Sequence, residues 1–149
     1  MHPLEGLARM TEFAGNNLAY NLEFIPADKL GWKPAPGAKS ALEIAQHVTG
    51  ALNFMRLVLT GGAWTRSEIP LPADCHSAQE MVRQASRDYA AALRQVDPAR
   101  MGETVELPFG TFPLAQCSGM PAFDVMHHHG QIAYIQTLLG DQEDHFQMG

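Results

Sequence analysis

Asp124 and His128 are spaced four residues apart, and with Ile132, Ile135 and Leu139 they form an i, i+4, i+8, i+11, i+15 series. That series is one face of an α-helix. Its second half is apolar, so the face is directed at a core, where a carboxylate and an imidazole are costly unless they pair, hydrogen-bond or hold a metal. A third polar residue, His47, follows Ile44 by three positions and precedes Ala51 by four and Met55 by eight, which assigns it to the core stripe of an earlier helix. Two ligands at i and i+4 plus a third from a facing helix are a standard way to fix one divalent ion inside a bundle. A lone histidine on an apolar face is more often a satisfied core residue, and the cluster also reads as a buried hydrogen-bond network without metal.

The run His127-His128-His129 is sorted by helical geometry. Successive residues diverge by about 100°, so one of the three faces the core squarely. His128 is on the Ile132 line. His127 lies beside it as an outer partner or alternative ligand, and His129 on the opposite flank is exposed or at a helix contact. Gln131, three residues after His128, either orients a ligand or solvates a flank. Asn16, Asn17 and Asn53 are candidates for a pocket mouth, although asparagines are common on helix surfaces, and Trp32 and Trp64 read as packing lids.

Four helical segments position these groups. The first runs from about Pro3 to Ile25, with Leu4, Leu7, Ala14, Leu18, Leu22 and Ile25 at helical spacing. After the Pro26 to Gly37 interruption, Ser40 and Glu43 form an S-x-x-E capping box. The second helix then carries Leu42, Ile44, Ala45, Val48, Leu52, Met55 and Val58 up to Gly61-Gly62. Ser77 and Glu80 read as another box, opening a third helix through Val82, Ala85, Tyr89, Ala92 and Val96 to Asp97-Pro98. Residues 103–114 fit either a short hairpin or an extended crossover. The last helix begins near Gly119 or Pro121 and ends at Gly140, and the polar residues Asp141 to Gly149 are expected to fray.

These segments predict an all-α four-helix bundle, one domain over residues 1–149, with a long crossover before the last helix. A hydrophobic content of 46% with 17% charged residues suffices for a real core in a chain of 149 residues. The net charge of −6, with Lys and Arg scattered, argues against nucleic acid as a partner. Cys75 and Cys117 are too few for a disulfide framework and read as free loop thiols of a reducing compartment. No stretch approaches the roughly 18 apolar residues that span a membrane. The start Met1-His2-Pro3-Leu4-Glu5 lacks the pattern of a signal peptide, so the expected location is cytoplasmic.

Three segments resemble the DinB superfamily of four-helix metalloproteins, some of which are thiol S-transferases or metal-dependent thiol-linked isomerases. They are Leu30-Gly31-Trp32-Lys33-Pro34 leading into Ser40-Ala41-Leu42-Glu43-Ile44-Ala45-Gln46-His47, then Phe123 to Ile132, then Leu138-Leu139-Gly140. Carried over position by position, the family's three histidine ligands fall on His47, Asp124 and His128, and the departure is Asp124 in place of histidine. An aspartate ligates through oxygen, giving a two-histidine, one-carboxylate set with open positions. It also lowers the positive charge of the site, so bound water becomes less acidic than in a three-histidine site. Alternatively Asp124 is an outer partner of His127 or His128, and the metal site is weakened.

The resemblance implies a divalent ion, zinc or nickel by imidazole content, with iron or manganese favoured by the carboxylate. It further implies a metal-dependent enzyme of the thiol S-transferase or hydrolase type acting on a small molecule, a thiol among the candidates. No nucleic acid or membrane partner is expected, and a homodimer is. The competing reading is a non-catalytic dimeric binding or scaffold protein with a degenerate site, pairing through an exposed face with Phe54, Leu57 or Phe24.

Overall fold

The Ser40–Glu43 capping box forms as the sequence predicts. The Ser40 hydroxyl accepts from the Glu43 backbone N–H, and the Glu43 carboxylate accepts from the Ser40 N–H at 2.8 Å. Lys33 donates to the same carboxylate at 2.8 Å, which ties the preceding turn to the helix start. In this computed structural model, which describes residues 1–62, 65 and 67–148, the box opens α2 (Ala41–Leu59). The helix stops where Gly61 takes φ +72°, a left-handed conformation that favours glycine.

The first helix, α1 (Glu5–Leu22), is shorter than expected because Pro26 begins a 3-10 turn at Ala27–Lys29. The third, α3 (Cys75–Gln95), starts earlier than the Ser77–Glu80 reading. Its N-cap is Asp74, whose carboxylate accepts from the Ser77 N–H at 2.8 Å while the Ser77 hydroxyl closes the box. An acidic cap one turn upstream captures the free N–H groups, and no proline obstructs residues 75–77. Cys75 is therefore the first residue of a helix rather than part of a loop.

Of the two possibilities for residues 103–114, the hairpin forms. Strands β1 (Thr104–Leu107) and β2 (Gly110–Pro113) pair antiparallel with Leu107 opposite Gly110, leaving Pro108-Phe109 as the turn. Gly110 has φ +148°, and a Cβ there would meet the Phe112 ring at 3.1 Å. A single turn, α4 (Leu114–Cys117), buries Cys117, again contrary to the loop reading. The last helix, α5 (Met120–Leu138), accepts Pro121 in its first turn, where no N–H is needed.

The four long helices pack in the ring α1–α3–α2–α5, so α1 faces α2 and α3 faces α5 across the core. The connections 23–40 and 96–119 each cross a diagonal, and only α2 and α3 are neighbours in both chain and ring. Leu18, Leu22, Ile44, Leu52, Val82, Leu93, Val125 and Ile132 fill the centre. Helices α1 and α3 approach closely at Gly15, where an added Cβ would lie 2.0 Å from Ser86 Oγ. The same seam carries a fork in which Arg94 donates to both Glu5 and Glu12 at 3.0 Å.

The described residues of the C-terminal segment, expected to fray, pack back on the helices. Asn17 brackets Gln147 through its backbone N–H and carbonyl, and Gln136 donates to the carbonyls of Asp141 and Glu143. The His145 ring stacks on Phe24 at 3.4 Å, and Phe146 packs edge-on against Phe13. Side-chain amides thus supply the backbone partners that a polar tail would otherwise take from water. No helix among the described residues is long and apolar enough to cross a membrane.

Candidate metal centre

Helices α2 and α5 bring His47, Asp124 and His128 together. One ligand atom from each lies within 4.8 Å of the others. His128 Nε2 is 3.4 Å from Asp124 Oδ1, and His47 Nε2 is 3.8 Å from Asp124 Oδ2. Ligand atoms of a tetrahedral site with bonds of about 2.0–2.2 Å stand about 3.4 Å apart, so the spread suits a single ion. The His47 and His128 rings meet edge to face, 4.6 Å between centroids.

Burial differs from expectation. The His47 side chain is 43% exposed, Asp124 34% and His128 8%. On α2 the core stripe is Ile44, Ala45, Val48, Leu52 and Met55, and His47 lies on its flank. On α5 the core face runs through Val125, His128, Ile132 and Ile135, with Asp124 beside it. The cluster therefore sits at the rim of the core, where α2 meets α5, with one side open.

Two features fit a cation. Asp124 Oδ2 is buried and makes no hydrogen bond, a state that a carboxylate oxygen tolerates poorly. His128 Nδ1 lies 2.6 Å from Gln131 Oε1. An amide oxygen only accepts, so Nδ1 donates to it; without an ion the protonated ring also donates from Nε2 to Asp124, and loss of that proton would free the Nε2 lone pair for a cation. Gln131 thus contacts the His128 ring and fixes its orientation.

Charge is balanced locally. For Asp124, burial is the largest influence and opposes ionisation. The hydrogen bond from His128 and the charges of His128, His47 and His127 overcome it, holding the carboxyl below its usual range. For His128, burial likewise opposes the charged form, and the contacts with Asp124 and Gln131 outweigh it, so its pKa rises.

A cavity of about 700 Å³ opens from the cluster, bounded by Gly50, Ala51, Phe54 and Met55 of α2, by Phe123 of α5 and by Phe109 of the hairpin, with His47 and Asp124 at one end. The sequence reading missed these walls. A pair of small residues, Gly50-Ala51, one turn after His47 was the available signal. Other candidates fall elsewhere. His127 is exposed, its ring 4.9 Å from that of His128. His129 reaches α1 through Asn21 Oδ1 at 3.1 Å. Asn16, Asn17 and Asn53 do not line the cavity, nor does Trp32, which is packed against the core. Trp64 lies outside the described residues. Burial raises the pKa of both Cys75 and Cys117, and neither borders the cavity.

The DinB superfamily model matches residues 10–132, a span that contains all three clustered side chains, and the chain belongs to this superfamily. A crystal structure of a DinB-like protein from Bacillus subtilis is similar in fold, with a TM-score of 0.71 and 15% identity over 93% of this chain and 94% of that one. No curated protein matches the chain in sequence.

Proposed function

We propose that this protein is a metal-dependent enzyme of the thiol S-transferase or hydrolase type, with one divalent ion held by His47, Asp124 and His128. The observation that carries this reading is the convergence of three ligand atoms within 4.8 Å at the end of a cavity, one of them on a carboxylate with an orphaned oxygen. A bound divalent ion supplies Lewis acidity that makes a thiol or water nucleophilic near neutral pH. Asp124 contributes negative charge to the ion-binding set, Gln131 holds the His128 ring in orientation, and the cavity walls keep bulk water from one side. The two imidazoles favour zinc or nickel, and the carboxylate extends the range to iron or manganese. In this reading the protein acts on a small molecule in the cytoplasm. A non-catalytic helical protein is the competing reading, favoured by the 3.4 Å contact through which Asp124 and His128 satisfy each other without an ion.

Elemental analysis of protein purified without a polyhistidine tag separates the two. One equivalent of metal per chain is expected, and His128→Ala should remove it. A full equivalent retained by the His47→Ala/His128→Ala double variant would sink the proposal.

A further inference from the structure

The geometry points to the substrate class: we infer that the cavity beside the cluster binds an uncharged, apolar small molecule, aromatic or branched-alkyl, with its reactive end toward His47 and Asp124. This deepens the proposed function and depends on it for the word substrate, while the binding itself does not. A volume of about 700 Å³ lies within the roughly 300–1,000 Å³ of small-molecule sites. His47 and Asp124 border it, Phe54, Met55, Met120, Pro121 and Phe123 supply most of the wall, and Ser67 and Gln116 add two neutral polar groups. Gln46 borders the cavity, but its amide nitrogen is spent on the Ile69 carbonyl at 2.6 Å. Among the described lining residues Asp124 is the sole carboxylate, and none is Lys or Arg. A phosphate or carboxylate held along these walls would exchange its hydration for a few neutral hydrogen bonds at most, with no Lys or Arg of the described lining to pair with it.

The mouth supports the same conclusion. Phe109 is 64% exposed and Phe123 is 71% exposed, on separate elements that both border the cavity. Phe109 occupies a hairpin turn, where polar residues and glycine are usual. An apolar ligand between the two rings removes their surface from water, and that gain appears only when the ligand is present. Space for it comes from Gly50, which has no side chain, and from the methyl of Ala51, although Ile69 Cγ1 already stands 3.5 Å from where a Cβ of residue 50 would lie.

The probe is N-phenyl-1-naphthylamine, a neutral apolar fluorophore, titrated into metal-loaded and chelator-stripped protein. Saturable binding of one probe per chain is expected in both forms. Ala51→Phe, which fills the cavity one turn beyond His47, should abolish it in the metal-loaded and the stripped protein alike, so that the loss does not depend on the ion. Phe109→Ser, on the exposed hairpin turn, should weaken it by about tenfold and covers the case in which Ala51→Phe fails to fold. Probe binding that ignores both substitutions overturns the inference and leaves the ion proposal standing. Probe binding to a protein that takes up no metal sustains the cavity and removes the ion proposal. Sedimentation equilibrium adds one more outcome: a dimer that excludes the probe and becomes a probe-binding monomer in Phe109→Ser would make the mouth a self-association surface and overturn the inference.

Discussion

A carboxylate at position 124 decides what the cluster can hold. Its Oδ2 has no hydrogen-bond partner, and its carboxyl stays below the usual range although burial opposes ionisation. If this oxygen ligates an ion, Asp124→Asn deletes the charge and should weaken zinc binding severely. Asp124→His should retain binding and shift preference toward zinc or nickel. A loss of about 10- to 100-fold for Asp124→His would instead mark an outer partner of His128. Competition against a chromophoric chelator measures both variants. An Asp124→Asn protein that binds zinc unchanged and melts at higher temperature would refute the ligand role. At this scale Asp124 and His128 were legible because i, i+4 spacing on a half-apolar face admits few arrangements. His47 was legible as a residue but not as to its face: a stripe read at about 100° per residue does not separate the centre of a face from its flank.

Between elements, Gly15 of α1 lies directly against Ser86 of α3. A methyl group at position 15 would lie 2.0 Å from Ser86 Oγ and 2.6 Å from its Cβ, so rotating the hydroxyl away does not relieve the clash. Gly15→Ala should therefore destabilise the fold by about 1–3 kcal/mol. Adding Ser86→Gly should recover most of that loss, because the neighbours couple. Urea melts of the two single variants and the double variant give the cycle, and strict additivity would contradict this account of the seam. The helices themselves were readable from apolar periodicity and from the Ser40 cap. The start of α3 was misplaced because Asp74 and Ser77 both cap well and sequence alone does not rank them. The hairpin was undecided because Pro108-Phe109 is not a usual two-residue turn. The docked tail left no periodic signal, since its fastening amides, Asn17 and Gln136, belong to distant helices.

For the whole molecule, acid stability should depend on the α1–α3 side of the ring. Arg94 foremost, then Arg9, holds the Glu5 carboxyl at about 2, against 4.5 for the free group. A depressed carboxyl contributes stability in full above its unfolded value. That contribution is lost as pH falls from about 4.5 through the folded value near 2. Thermal melts of the wild type should therefore decline across this window, and Arg94→Gln should flatten the decline. Equal slopes for the two proteins would assign acid sensitivity to other groups. The ring order itself was not legible, because two of the three connections span a diagonal and leave consecutive helices unpaired. The same arrangement separates two kinds of inheritance. The His47–Asp124–His128 cluster is set by α2 and α5, and its His128 member is part of the buried face. The hairpin is anchored by buried Leu107 and by Val105 and Phe112, which pack against the core, while Pro108 and Phe109 border the cavity. Gly110 and Phe112 are held by backbone and packing, so Pro108 and Phe109 alone can be exchanged at little cost to folding, and the cavity mouth is free to change shape while the His47–Asp124–His128 cluster keeps its geometry.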